Sequence, residues 1–96
     1  MRSLNYTFKQ RIGTAIRILR QKSGLNQEQF AEKCTVAHDS LRKWETLKNV
    51  PSAENIDKIC IANDIDIVDL LLLTEPQNDK SVIIREIINR LNRLAH

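Results

Sequence analysis

The stretch LNQEQFAEKCTVAHDSLRKWE, residues 25–45, contains the patterns of two short helices with almost nothing between them. Asn26 is a suitable N-cap, and Gln29 three residues later completes a capping-box pattern for the first helix. The apolar positions of that helix share one face: Phe30, Ala31 and Cys34. Only Thr35 and Val36 separate this helix from a second one, which is predicted to run from about Ala37 to Glu45. The stretch therefore predicts a tight corner between two helices.

Helical patterns also account for most of the remaining chain. Residues 8–22 have apolar positions at helical spacing, with Thr7 as a possible N-cap and Gly24 just past the end. Ser52 and Asp66 can each cap a further helix, the latter running through Leu73. Residues 80–95 repeat apolar side chains in the i, i+3, i+4, i+7 pattern of an amphipathic helix. No alternating β-branched run indicates a strand, so we predict an all-α fold.

The composition indicates one ordinary globular domain. The 96 residues are 42% hydrophobic and 28% charged, with only two Gly and two Pro to interrupt helices. Cys34 and Cys60 lie among apolar residues outside any CxxC or Cys/His cluster, so we favour reduced core thiols over a disulfide and expect no metal site. The longest apolar run, residues 67–73, is too short to span a bilayer. We also find no apolar signal core near residue 1, and a cytoplasmic location is expected.

Charge is distributed unevenly along the chain. Residues 1–33 carry seven basic side chains and two acidic ones, whereas residues 51–79 carry one basic and seven acidic. Residues 80–96 are basic again, with four Lys or Arg and one Glu. A chain of this kind can present one side to a polyanion.

The second helix of the corner separates polar from apolar side chains. At 100° per residue, His38, Asp39, Arg42 and Lys43 share one side, and Ala37, Leu41 and Trp44 the other. We interpret Trp44 as a core residue, because it continues the apolar side with Leu41. The polar side offers both hydrogen-bond donors and acceptors, whereas a helix that only faces solvent more often shows simple Glu/Lys pairs at i, i+4 spacing.

These stretches resemble the helix-turn-helix of the phage-repressor-like (Cro/CI, Xre-type) family over about residues 10–73. LNQEQFAEKC is similar to the family's second helix, LRKWE to the end of its recognition helix, and VPSAENIDKICIANDIDIVDLL to its closing helices. Arg20 and Glu45 stand where family members often form a structural ion pair. Two positions differ from the family. Thr35 occupies a turn position commonly filled by Gly, and Thr46-Leu47 replaces a frequent basic-Gly pair.

The resemblance implies a five-helix, lambda-repressor-like DNA-binding domain over residues 1–74, with the helix-turn-helix at about 27–45. In that docking geometry the polar side of the third helix enters the major groove. The expected base-contacting residues are His38, Asp39, Arg42 and Lys43. The expected phosphate-contacting residues lie at the start of the second helix and in the loop after the third: Asn26, Gln27, Thr46, Lys48 and Asn49.

Residues 75–96 are predicted to be a linker and a C-terminal amphipathic helix. Its apolar stripe would be a large exposed patch on a monomer, so we favour a two-fold helix–helix contact over folding back on its own domain. The expected dimer-interface residues are Ile84, Ile87, Ile88, Leu91 and Leu94.

The leading hypothesis is a sequence-specific transcriptional regulator, a repressor or a phage-type or controller-type switch, that binds a two-fold operator as a homodimer. The expected setting is the nucleoid of a prokaryotic or phage-host cell, and no cofactor is expected. The alternative is a protein-interaction module on the same fold, such as an antitoxin or anti-repressor, that uses the acidic block and the last helix. We expect no enzyme, because the sequence contains neither a Gly-rich phosphate loop nor a nucleophile–base constellation.

Overall fold

The structure, a computed structural model, describes residues 7–74 and 87–93. Five helices follow one another in the first of these ranges: α1 (Phe8–Ser23), α2 (Gln27–Cys34), α3 (His38–Glu45), α4 (Ala53–Ala62) and α5 (Ile67–Leu72). Residues 87–93 are also helical, and the described ranges contain no strand. The prediction of an all-α fold is confirmed.

Four of these five helices, α1, α2, α4 and α5, begin just after a residue whose side chain caps them. Thr7, Asn26, Ser52 and Asp66 each accept a hydrogen bond from the backbone N–H three residues on. At the other end of α1, Gly24 takes the left-handed conformation with φ 73°. These local hydrogen bonds explain why helix starts were readable from the sequence.

The apolar stripes of the five helices meet in one core. α1 packs against α3 and α5, while α2 packs against α3 and α4. The buried apolar side chains are Ile12, Ala15, Ile16, Phe30, Ala31, Cys34, Leu41, Trp44, Ile59, Cys60 and Leu70. Both cysteines are free thiols in this core, and burial raises the pKa of each. None of the helices in the described ranges is long and apolar enough to cross a membrane.

The start of α3 corrects one expectation. The prediction that Ala37 belongs to the apolar side of this helix is wrong: Ala37 is exposed and has the extended conformation of an N-cap, with φ −71° and ψ 137°. Its methyl group cannot accept a hydrogen bond, so α3 has no side-chain cap. Leu41 and Trp44 are the apolar residues that anchor α3 in the core.

The corner between α2 and α3 requires a left-handed residue at Thr35. Its φ and ψ are 60° and 44°, a region that β-branched residues rarely adopt. The backbone N–H of Thr35 hydrogen-bonds to Glu32 O at 3.2 Å, and that of Val36 to Ala31 O at 3.0 Å. These two bonds close the end of α2 as a left-handed C-cap, the conformation for which most sequences would use Gly.

Candidate nucleic-acid interface

A buried carboxylate holds the two helices of the corner on α1. Glu45, at the end of α3, accepts hydrogen bonds from Arg20 Nε at 2.7 Å and from Arg20 Nη2 at 2.9 Å. Arg20 Nη1 also donates to the backbone oxygen of Leu25 at 3.1 Å. The hydrogen bonds to Glu45 raise the pKa of Arg20 above its ordinary value. The bidentate pair fixes the position of α3 relative to α1 and to the loop that leads into α2.

The first residue of α2 joins the same network. Gln27 Nε2 donates to Glu45 Oε1 at 3.1 Å, so Glu45 contacts α1 and α2 at once. Sequence reasoning expected Gln27 to contact phosphate and missed this hydrogen bond. It connects residues 18 positions apart, so no local pattern could have indicated it.

The side chain of Asn26 is also engaged within the protein. Its Oδ1 accepts from the backbone N–H of Gln29 at 2.8 Å, and Gln29 Oε1 accepts from the backbone N–H of Asn26 at 3.0 Å. With both Asn26 and Gln27 side chains bonded internally, the start of α2 offers a phosphate mainly its backbone N–H groups.

The outward side of α3 carries the four expected base-contacting residues. His38, Asp39 and Arg42 are exposed and Lys43 is half-buried, while Leu41 and Trp44 on the opposite side are buried. The structure therefore brings the four side chains onto one surface and anchors the helix beneath it.

Three of these side chains form an ion-pair network, which we call the Asp39 network: Asp39, Arg42 and Lys43. Asp39 Oδ1 accepts a hydrogen bond from Arg42 Nη2, and Asp39 Oδ2 lies 3.3 Å from Lys43 Nζ. The hydrogen bond from Arg42 is the largest cause that holds the pKa of Asp39 below its usual range, followed by that from Lys43. The i, i+3 and i, i+4 spacings were the available sequence signal for these pairs.

The loop after α3 presents the remaining expected phosphate contacts. Thr46, Lys48 and Asn49 are all exposed. The hydroxyl of Thr46 already donates to Arg42 O at 2.8 Å, which closes the end of α3. Lys48 and Asn49 are therefore the side chains of this loop that can still donate to a phosphate.

Gly13 is a supporting residue that sequence reasoning missed. A Cβ at this position would lie 2.3 Å from the backbone oxygen of Trp44 and 2.7 Å from Leu47 Cδ2. Leu47 itself has φ 65°, in the left-handed region. Gly13 lets α1 approach the end of α3 closely, and its position inside a helical pattern was the only available signal.

The expected dimer stripe is described only in part. Ile87, Ile88 and Leu91 lie on the helical stretch 87–93, and about half of each side chain is exposed. Ile84 and Leu94 lie outside the described residues. In residues 7–74 and 87–93, no group of three or more His, Cys, Asp or Glu side chains could hold a metal ion.

Comparison with known proteins identifies the corner. The family model described as Helix-turn-helix matches residues 16–70. The crystal structure of the clp gene regulator ClgR from C. glutamicum is similar, with a TM-score of 0.63 and 24% sequence identity over 70% of this chain and 86% of that chain. This likeness indicates the same fold. No curated protein matches the chain.

Proposed function

The chain belongs to the helix-turn-helix family, of the phage-repressor-like type, and we propose that it is a sequence-specific transcriptional regulator that binds double-stranded DNA as a homodimer. In this proposal α3 lies in the major groove, and the most fitting roles are those of a repressor or a phage-type or controller-type switch. The observation that carries the proposal is the polar surface of α3, with donors and acceptors on a helix anchored by Leu41 and Trp44.

Base reading is assigned to the outward side chains of α3. The major groove presents acceptors at guanine O6 and N7, which suit Arg42 and Lys43, and a donor at cytosine N4, which suits Asp39. His38 stands at the first residue of α3, the end from which this motif reads bases.

Backbone contacts would set the position of the protein without reading sequence. Lys48 and Asn49 approach one phosphate group from the loop after α3, and Thr46 lies beside them. The backbone N–H of Asn26 is bonded to Gln29 Oε1. The start of α2 therefore offers another phosphate the backbone N–H groups of Gln27 and Glu28, where the positive end of the helix dipole favours an anion. Glu45 supports this arrangement because it bonds to both Arg20 and Gln27.

Selection of bound duplexes from a random pool, at a stated salt concentration, tests the function. We expect a two-fold symmetric consensus whose half-sites are about 34 Å apart, one turn of DNA. Repeating the selection with Lys43→Ala should relax the preference at one position of each half-site, with a loss of about 1–3 kcal/mol for the original sequence. Equal weakening on every sequence would show that Lys43 contacts only the backbone.

Dimerisation is assigned to the apolar stripe of the C-terminal helix. The exposed Ile87, Ile88 and Leu91 belong to the stripe, which also includes the predicted Ile84 and Leu94. The variant with Ile87→Asp and Leu91→Asp should sediment as a monomer at micromolar concentration. Asn89→Asp with Asn92→Asp adds the same charge off the stripe and should stay dimeric. If the first variant also stays dimeric, the interface lies elsewhere.

A further inference from the structure

The Asp39 network joins the one carboxylate on the outward side of α3 to the two cations proposed to read bases. The side chains of Asp39, Arg42 and Lys43 are 61%, 48% and 42% exposed. Ion pairs this exposed are weak and exchange readily, so they can open when a better partner is offered. The network is therefore present in the free protein and reversible on binding.

The network changes what the α3 surface offers to DNA of any sequence. Binding to random duplex is driven almost entirely by cation–phosphate contacts. While Asp39 pairs with both cations, their donors are partly occupied and the three side chains together carry one net positive charge. A carboxylate close to the DNA backbone also repels phosphate.

A matching sequence reverses this balance. Guanine O6 and N7 can accept from Arg42 or Lys43 in place of the carboxylate, and Asp39 can accept from a cytosine amino group. A mismatched sequence places neither the guanine acceptors nor the cytosine amino group opposite these side chains. Opening the network on such a sequence leaves the Asp39 carboxylate unpaired near phosphates.

We propose that Asp39 determines specificity by suppressing binding to duplexes of the wrong sequence, because it holds Arg42 and Lys43 in the Asp39 network until bases replace it. This inference rests on the proposed DNA-binding function and adds a role to the direct base contact assigned to Asp39. The Arg42 hydrogen bond also keeps the pKa of Asp39 low, so the carboxylate is charged throughout the neutral range.

Asp39 could instead serve only the stability of α3. It is the acidic residue in the first turn of that helix, which lacks a side-chain cap, and a negative charge there is favourable to the helix dipole. Stability and specificity are separable, because only specificity depends on the sequence of the duplex.

The test compares Asp39→Asn with two other variants. Asp57→Asn removes the same charge from an exposed position on α4, which packs against α2 and α5. Asp39→Glu keeps the charge and can still reach Arg42 and Lys43. The probes are a duplex selected from a random pool and a scrambled duplex of the same composition, titrated by fluorescence anisotropy at several salt concentrations. A thermal melt of each variant verifies folding.

We expect Asp39→Asn to bind the scrambled duplex about three- to tenfold more tightly than the wild type, with a log–log salt slope steeper by about one. Its preference for the selected duplex should fall by at least the same factor. Asp57→Asn and Asp39→Glu should stay within about twofold of the wild type on the scrambled duplex.

Two results would overturn the inference and leave the proposed function intact. In the first, the wild type prefers the selected duplex, but Asp39→Asn binds the scrambled duplex with the same affinity as the wild type. The other is an equal gain in Asp39→Glu or Asp57→Asn, because the effect would then not depend on the paired charge. If the wild type binds both duplexes equally, the proposed function fails, and the role of Asp39 fails with it.

Discussion

Replacing Glu45 by Gln should strongly destabilise the domain, because it leaves the Arg20 guanidinium without its counter-charge. The two side chains are 16% and 3% exposed, for Arg20 and Glu45 respectively, so water replaces little of what is lost. Gln has nearly the same shape as Glu, but it offers one acceptor oxygen where Glu45 now accepts from Arg20 Nε, Arg20 Nη2 and Gln27 Nε2.

The magnitude follows from the burial of the pair. Removing one partner of a buried ion pair costs about 3–5 kcal/mol, mostly because the other charge stays buried and unpaired. We expect about 3 kcal/mol for Glu45→Gln, since its remaining oxygen can keep one hydrogen bond. In a domain of 60–100 residues this lowers Tm by about 12–24 °C.

Urea unfolding followed by the fluorescence of Trp44 measures this change. Trp44 is the one tryptophan in the sequence and is buried beside Glu45, so its emission reports the unfolding of the core directly. Glu28→Gln, at an exposed position in α2, is the matched control and should change the free energy of unfolding by less than about 0.5 kcal/mol.

The double variant Arg20→Met with Glu45→Met separates the pair from its burial. With both charges replaced by apolar side chains, the loss should be smaller than in Glu45→Gln. A loss below about 1 kcal/mol for Glu45→Gln would refute the reasoning, because the pair would then behave as a surface ion pair.

Three further changes test the packing around the corner. Gly13→Ala should destabilise the fold by about 1–3 kcal/mol in urea unfolding, because the added Cβ would meet Trp44 O at 2.3 Å. This cost should exceed the gain from the better helix propensity of Ala, and a gain in stability would contradict the close approach. Thr35→Gly should stabilise the fold by about 0.5–1 kcal/mol, because the relief of left-handed strain exceeds the extra conformational entropy that Gly loses on folding. A loss of stability would show that the strain is small. Burial raises the pKa values of Cys34 and Cys60, so both thiols should resist iodoacetamide at about pH 8 until urea unfolds the chain. Mass spectrometry measures the labelling, and rapid labelling of the folded protein would contradict their burial.

Much of the fold could be predicted from short-range patterns. The N-caps at Thr7, Asn26, Ser52 and Asp66 act over three residues, so the sequence alone contains the relevant chemistry. The apolar stripes likewise identified most of the core, including Trp44. The exception was Ala37, which fits the apolar side of a helical wheel but lies just before the helix begins.

The rest depends on tertiary contacts that periodicity does not encode. The need for Gly13 arises from the backbone of α3, and the hydrogen bond from Gln27 to Glu45 joins two separate helices. The left-handed Thr35 runs against the preference of a β-branched residue, so the residue type itself did not indicate this conformation. The pairing of Asp39 with Arg42 and Lys43 was not predicted either, although their i, i+3 and i, i+4 spacings on α3 were a local signal for it.

The central claim is that the outward side of α3 reads base sequence in duplex DNA. The ratio of the dissociation constants for a scrambled duplex and for a selected duplex, measured at the same salt concentration, tests it most directly. We expect the selected duplex to bind at least about 1,000-fold more tightly. A ratio near one, with equal weak binding to every duplex, would contradict the claim and direct attention to a protein partner.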